Sequence, residues 1–282
     1  MSEEKKTRIL KIVRIIFILG VVVCGVAVVM ILLDRKKAAD EYEELGTYLS
    51  VTEETKEPAE VQDVVDSGAS DESEVSAEDS IKIEVSIDMD YESLKEINSD
   101  FTGWIYYKPL DISYPFVIDK GNAYYEHHSF ENTSTSSGAI FMDYVCKRDM
   151  TGFNTILYGH NMRNGTMFGS LDKLLKDEEI IKGDPYFYVF TEKANYMYKI
   201  VSVYYAKKTS ETYDLKLNWT LDEKKEYVKY MDSVSEYRDE EFFSKGITDE
   251  DRICTLSTCH GINSDSRTVV HGILVASESV TD

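Results

Sequence analysis

The sequence predicts a mostly-β domain, built as a closed or nearly closed β-barrel with peripheral α-helices and preceded by a transmembrane helix. Three observations lead to this prediction. Residues 15–33 carry no charge, and residues 38–80 are strongly acidic. From about residue 81 onwards, short runs rich in tyrosine and β-branched residues alternate with turn residues. Six to eight such runs with few helices are typical of a barrel.

Residues 15–33 have the length of a membrane anchor. At about 1.5 Å per residue the segment reaches about 28 Å, close to the hydrocarbon thickness of a bilayer. No small-residue cleavage site follows, since residues 34–37 are one acid and three bases, so an uncleaved anchor is favoured over a signal peptide. Five basic residues precede the span and three follow it. This bias predicts a cytoplasmic tail at 1–14 and an extracellular location for the rest of the chain.

Residues 34–80 are predicted to form an acidic, disordered stalk. Between Ala38 and Ser80 there are fifteen Asp or Glu and one basic residue, Lys56, in a chain of 282 residues with net charge −21. Such a segment buries too little apolar surface to offset its chain entropy. A solvated helix is the alternative for residues 38–50 only. The acidic balance also argues against a nucleic-acid partner, because phosphate binding needs clustered Lys and Arg.

The outer domain, residues 81–282, is predicted to contain many strands and few helices. A first helix is expected at 91–98 with Asp90 as its N-cap, and a brief helix within 166–176. A longer helix is expected near 221–235, where Thr220 and Glu223 form a capping-box pattern. The predicted strands are 104–107, 114–118, 138–144, 154–160, 186–190, 196–205, 252–259 and 267–276.

The chemistry depends on Cys259, which lies in the run ICTLSTCH at 253–260. Residues an odd number apart on a strand face opposite ways, so Cys254 and Cys259 are not expected to form a disulfide or to share a zinc ion. Cys24 lies in the predicted membrane span, and Cys146 is far away in the sequence. Two interpretations of Cys259 remain, a buried inert cysteine and a nucleophile.

A cysteine nucleophile needs an acid–base partner and a positive environment. His160 ends the predicted strand 154–160, and reactive side chains are often displayed where a strand meets a loop. Arg267 begins the next strand after Cys259, so a hairpin would bring its guanidinium close to the thiol. There it would lower the thiol pKa and bind an oxyanion.

The other four histidines are weaker candidates for the acid–base partner. Strand parity turns His260 away from Cys259. His271 shares strand parity with Arg267 and is more typical of a structural or surface residue. His127 and His128 lie in an aromatic loop and could line a pocket.

Several motifs together resemble the sortase family. TLSTC at 255–259 followed by Arg267 resembles the signature strand with its cysteine and arginine, and YGHNM at 158–162 resembles the segment that carries the sortase histidine. The segments at 97–107, 113–118, 121–130 and 138–144, with the long helix before the final strands, resemble class B. The resemblance covers roughly residues 88–277. It implies an eight-stranded barrel and a cysteine transpeptidase.

The resemblance also implies roles for individual residues. Cys259 would attack the carbonyl of a threonine in the C-terminal sorting signal of a secreted protein and form a thioester. His160 would protonate the departing amine, and Arg267 would hold the substrate and the oxyanion. An amine of a peptidoglycan precursor or a pilin lysine would resolve the thioester. Peptide contacts are indicated for Ser257, Thr258 and Asn122, and no metal or organic cofactor is required.

Two features depart from the family pattern. Glu126 stands where an apolar residue is expected, and the loop between Cys259 and Arg267 is short and contains Gly261. Two other functions stay open at this point. One is a surface cysteine endopeptidase, in which water outcompetes amines. The other is a non-catalytic, surface-anchored binding module that keeps an inert cysteine.

Overall fold

The computed structural model describes residues 3–53, 82–83, 85–258 and 265–280. Within these residues there are six α-helices and eleven strands. The helices are α1 (Glu3–Leu45), α2 (Tyr91–Ile97), α3 (Lys173–Lys176), α4 (Glu179–Gly183), α5 (Leu221–Val234) and α6 (Glu240–Lys245). The strands are β1 (Leu49–Glu53), β2 (Val85–Met89), β3 (Phe101–Tyr107), β4 (Ile112–Val117), β5 (Ile140–Met142), β6 (Asn154–Gly159), β7 (Tyr186–Thr191), β8 (Ala194–Lys207), β9 (Tyr237–Arg238), β10 (Ile253–Thr258) and β11 (Ser266–Ser279).

Eight of the strands close into a barrel. Their order is β11-β10-β6-β5-β4-β3-β7-β8, and a long antiparallel pairing between β8 and β11 closes the ring. The pairings β4–β5 and β6–β10 are parallel and the others are antiparallel, so the barrel is mixed. The short strand β9 pairs with β8 at Ser202 and Val203. The predicted eight-stranded barrel with peripheral helices is confirmed.

Alternation along the strands builds apolar layers on both of their faces. One cluster of buried side chains draws residues from all eight barrel strands, including Ile105, Leu157 and Leu256. The opposite face is covered by helices in two places. Tyr227, Val228 and Met231 of α5 cover β8 and β11, and the end of α1 together with α2 covers Trp104 and Phe101.

The predicted helix termini are confirmed where side chains cap them. The Asp90 carboxylate accepts the Ser93 N–H at the start of α2, at 3.0 Å. Thr220 and Glu223 form the reciprocal capping box at the start of α5. Each cap satisfies backbone donors that the first turn of a helix leaves unpaired.

Two predicted elements are shorter in the structure. The helix expected within 166–176 is only the single turn α3, because Met167 adopts a left-handed backbone conformation with φ 55°. The strand expected at 138–144 is only β5, because Gly138 has φ 58° at one end and the Cys146 N–H bonds to the Asp143 carbonyl in a turn at the other. A left-handed residue interrupts both regular structures.

The predicted disordered stalk is wrong for the part that the structure describes, residues 34–53. There α1 continues to Leu45, and β1 pairs with β2 in a separate two-stranded sheet. Ala38, Glu41 and Leu45 are buried, although the surrounding sequence is acidic. Their spacing places them on one helix face, which packs against the barrel and supplies the burial that composition alone did not predict. Residues 54–80 of the predicted stalk lie outside the described residues.

Helix α1 is the one helix among the described residues that is long and apolar enough to cross a membrane, judged by length and composition. Its most apolar window has a mean hydropathy of 3.3, and none of that window is buried within the protein. The apolar side chains that the structure describes between Leu10 and Leu33 are exposed.

Candidate active site

Three strand ends meet at one rim of the barrel. In the parallel pair β6–β10, Thr258 lies opposite Gly159, so His160 and Cys259 each follow directly after a paired position. On the other side of β10, the Thr268 N–H of β11 donates to the Thr258 hydroxyl at 2.9 Å, and Arg267 directly precedes Thr268 in β11. Cys259 and His260 lie outside the described residues. The described neighbours of Cys259 are therefore close to those of His160 and Arg267.

The His160 ring is held at this rim by a backbone carbonyl. Its Nε2 lies 2.6 Å from the Glu126 carbonyl oxygen, and the ring is partly exposed. Because a carbonyl only accepts hydrogen bonds, Nε2 carries the proton that makes this bond. The contact uses the backbone of Glu126, so it does not depend on the acidic side chain that departs from the family pattern.

Gly138 allows the loop to approach the histidine ring. Its φ of 58° is left-handed, and an added Cβ would lie 2.5 Å from the Tyr125 carbonyl oxygen, 2.9 Å from that of Glu126 and 3.0 Å from His160 Cδ2. Those distances are too short for any side chain. The Ala139 N–H also donates to the Tyr125 carbonyl at 2.9 Å, which ties the two loop segments together below the ring. Sequence reasoning missed this role, because a glycine often precedes a strand for the sake of turn geometry alone.

Arg267 lies at the beginning of β11, opposite Ala206 of β8. Its guanidinium carbon is 5.3 Å from the centre of the Tyr213 ring, within the range of a cation–π contact. The side chain is partly exposed, so a charged, planar group with several donors faces the rim.

The side chains predicted to contact a peptide make hydrogen bonds to other residues of the protein. Ser257 and Thr258 are fully buried, because β10 is a central strand with both faces covered. The Ser257 and Tyr213 hydroxyls are 2.9 Å apart, and the Thr258 hydroxyl accepts the Thr268 N–H. Asn122 donates to the Asp143 carboxylate at 2.8 Å and accepts the Tyr144 N–H. The structure brings these residues near the rim, and their contact with a peptide stays a prediction.

Comparison with known proteins agrees with this geometry. The sortase domain family model matches residues 111–275, more than half of the chain. This chain belongs to the sortase family. Sortase B of Listeria monocytogenes is 32% identical over 186 residues, which cover 64% of this chain and 72% of the relative. Sortase B of Staphylococcus aureus is 31% identical over 182 residues, covering 62% and 70%.

Solved sortase B structures share the fold. The structure of sortase B from Bacillus anthracis in complex with AAEK1 is 34% identical, with a TM-score of 0.58 over 66% of this chain and 83% of the neighbour. The Staphylococcus aureus sortase B–substrate complex is 26% identical, with a TM-score of 0.59 over 66% and 84%. The protein is thus a class B sortase and a cysteine transpeptidase.

Two tyrosines that sequence reasoning missed connect the predicted site residues Arg267 and Asn122. Tyr158 and Tyr213 stack with ring centres 6.3 Å apart, and the Tyr158 hydroxyl donates to Asp143 at 3.0 Å. Burial, followed by the charge of Asp143, raises the pKa of Tyr158, so its hydroxyl stays a donor. A series of contacts therefore connects Arg267 to the Tyr213 ring, the Tyr213 ring to the Tyr158 ring, and the Tyr158 hydroxyl to the Asp143 carboxylate, which also accepts a hydrogen bond from Asn122. No local pattern marks Tyr213, which ends a short 3₁₀ helix beyond β8.

The histidine in the middle of β11 is structural, one of the two roles, structural or surface, that were expected for it. His271 is fully buried, with Nδ1 2.8 Å from the Thr255 hydroxyl and Nε2 3.0 Å from the Tyr204 hydroxyl. Burial lowers the pKa of His271 to about 3, so the ring is neutral. In the aromatic loop, the His128 ring stacks on Tyr124 with centres 4.0 Å apart, and His127 is exposed.

Proposed function

We propose that this sortase cleaves the C-terminal sorting signal of secreted proteins after a threonine and joins the new carboxyl end to an amine. Cys259 attacks the threonine carbonyl carbon as a thiolate, and a tetrahedral oxyanion forms. The C–N bond then breaks, the departing amine takes a proton from the His160 imidazolium, and a thioester remains on Cys259. An amine of a peptidoglycan precursor or a pilin lysine attacks the thioester, gives its proton to His160 and releases the thiolate.

One observation supports this assignment more than any other. Thr258 pairs with Gly159, and Thr268 bonds to Thr258, so the residues flanking Cys259 lie beside those flanking His160 and Arg267. Arg267 is proposed to hold the oxyanion, since guanidinium donors stabilise charge that develops in a transition state. Ser257, Thr258 and Asn122 are proposed peptide contacts. Contact with the Ser257 hydroxyl requires Tyr213 to give up its hydrogen bond.

We also infer how the enzyme meets its substrates. Residues 15–33 are proposed to anchor it in the cell membrane as a single pass, with residues 1–14 in the cytoplasm and the catalytic domain of 81–282 outside. The exposed apolar side chains of α1 and the charge bias around the span support this orientation. Secreted proteins would then pass the enzyme as they leave the membrane.

The test uses the full chain in detergent, a panel of sorting-signal peptides containing threonine, and several amines. Mass spectrometry is expected to find an acyl group on Cys259, and added amine is expected to convert the product from free acid to amide. Cys259→Ala should abolish both, while Cys24→Ala, which removes a thiol from the predicted span, should change neither.

Other outcomes would overturn the proposal in distinct ways. A free-acid product at every amine concentration would identify an endopeptidase. A Cys259→Ala protein that keeps its function, together with no preferential labelling of Cys259 by thiol reagents, would identify a non-catalytic binding module.

A further inference from the structure

The end of helix α1 that follows the predicted span lies against residues 131–138, the loop segment that ends beside the His160 ring. The Asp34 carboxylate accepts both the Ser136 N–H, at 3.2 Å, and the Ser136 hydroxyl, at 2.6 Å. The Glu41 carboxylate accepts the Glu131 N–H at 3.0 Å. The Tyr42 hydroxyl donates to the Gly138 carbonyl at 3.1 Å. Two turns of one helix thus bind a single loop, residues 131–138, at three points.

The spacing of these residues shows that the contact uses one face of the helix. Asp34, Ala38, Glu41 and Leu45 recur every three or four residues, the period of a helical stripe, and Tyr42 lies four residues after Ala38 and three before Leu45. Ala38, Glu41 and Leu45 are buried. The helix continues without a break from the predicted membrane span into this stripe. The predicted anchor and the stripe that contacts the loop are therefore parts of one continuous helix.

Tyr42 contacts two segments that lie next to His160. On one side its hydroxyl holds the carbonyl of Gly138, the residue whose backbone packs under the His160 ring. On the other side its ring meets Tyr114 edge-on at 5.3 Å, and the Tyr114 hydroxyl accepts the Met167 N–H at 3.1 Å. Met167 belongs to the segment that follows His160, where the Phe168 N–H bonds back to the His160 carbonyl.

We propose that Tyr42 is a positioning residue for His160, acting through Gly138, and that residues 34–45 of α1 form part of the active-site wall. This inference rests on the proposed catalytic role of His160. Tyr42 makes no contact with reacting atoms. Its hydroxyl fixes the backbone of Gly138, which lies against both the His160 ring and the Glu126 carbonyl that binds the ring. Loss of this hydroxyl should therefore slow the chemical step without weakening substrate binding.

The test compares two tyrosines that lie six residues apart in the full chain, held in nanodiscs. Tyr42→Phe keeps the ring contact with Tyr114 and removes the hydroxyl, with its bond to the Gly138 carbonyl and its bond to the Phe130 backbone. We expect kcat for peptide cleavage to fall by about threefold to tenfold, the range expected for one neutral hydrogen bond, with KM within about twofold. Tyr48→Phe, just beyond the end of α1, is the matched control and should leave both constants unchanged.

Two further measurements separate positioning from a merely structural effect. The ¹³C resonance of the His160 ring, assigned by its loss in His160→Gln, should move in Tyr42→Phe and stay in place in Tyr48→Phe. Asp34→Asn, which weakens a second contact of the same helix face, should move the resonance in the same direction. If Tyr42→Phe unfolds, the Asp34 variant provides the test.

The inference fails if kcat and the His160 resonance are unchanged in both Tyr42→Phe and Asp34→Asn. It also fails if KM alone rises. The resonance does not need turnover, so an inactive wild-type protein would overturn the proposed function and leave the positioning contact measurable.

Discussion

The two histidines at the rim and in the wall of the barrel differ in the features that separate the proposed acid–base imidazole of His160 from the structural imidazole of His271. His271 lies in the middle of β11, where the ring is fully buried and two hydroxyls pair with both of its nitrogens. His160 lies just past the end of β6, where one nitrogen donates to a carbonyl and the ring is partly exposed. Burial with full pairing keeps His271 neutral, whereas the described contacts of the partly exposed His160 ring include a bond at Nε2 only. The difference in burial and hydrogen bonding between the two rings follows from their positions, one in the middle of a strand and one just past a strand end.

The largest effect is expected at the rim. His160→Ala should lower kcat/KM for peptide cleavage by about 10²-fold to 10⁴-fold, because a positioned acid–base group contributes that much to proton transfer. Steady-state assays with a sorting-signal peptide measure this loss. His127→Ala, at an exposed histidine, is the control. An equal loss in both variants would mean that the rim position does not distinguish His160.

Removal of the positive charge of Arg267 should lower the rate somewhat less than removal of His160. Arg267→Ala should lower kcat by about 10²-fold to 10³-fold, the usual effect of losing an oxyanion donor. Arg267→Lys should give an intermediate rate, since it keeps the charge but loses the planar donors. Lys207→Ala removes an exposed cation from the adjacent strand and should leave kcat unchanged. A Lys207 effect as large as that of Arg267 would show that only overall charge matters.

At His271 the expected effect is on stability and depends on pH. Its pKa is lowered from 6.5 to about 3 in the folded protein, so the unfolded chain binds a proton at higher pH than the folded protein does. Stability is therefore lost as the pH falls below about 6.5, and the loss ends near pH 3. The free energy of unfolding of the wild type, relative to that of His271→Gln, should drop by about 2 kcal/mol between pH 7 and pH 5.

Urea unfolding at both pH values, followed by tryptophan fluorescence, measures this difference. His127→Gln should behave like the wild type, because the His127 side chain is exposed in the folded protein. An identical pH dependence in the wild type and His271→Gln would show that the buried ring accepts a proton after all.

The smallest effect on stability or activity is expected at Tyr213, which contacts both Arg267 at the rim and Ser257 in the barrel wall. Tyr213→Phe removes the hydroxyl bonded to Ser257 and keeps the ring beneath the Arg267 guanidinium. The free energy of unfolding should fall by about 0.5–1.5 kcal/mol, the net contribution of one hydrogen bond, while the salt dependence of kcat stays unchanged. A loss of activity comparable to that of Arg267→Ala would assign the hydroxyl, rather than the ring, to the site.

The strands and their ends could be predicted from local pattern, and so could the capped helices. The boundary between Gly159 and His160 and the caps at Asp90 and Thr220 depend on neighbouring residues in the chain. Motifs and their order identified the family. These features are local, so one sequence contains enough information to find them.

The remaining features depend on contacts between distant parts of the chain. Ser257 and Thr258 carry hydroxyls and read as surface residues, but β10 is covered on both faces. The composition of the acidic segment at 34–53 predicts disorder, but the few apolar residues of this segment are buried against the barrel domain. The carbonyl that orients His160 comes from a loop 34 residues earlier, which no periodicity indicates.

The parallel pairing of β6 with β10 has a consequence for biogenesis. Thr255 and Asn154, which bond across this pair, are 101 residues apart in the sequence. Contacts of such range form late and slowly, because much chain entropy is lost before they are made. A growing chain therefore cannot assemble the proposed site at Cys259, His160 and Arg267 until its last two strands, β10 and β11, have been made.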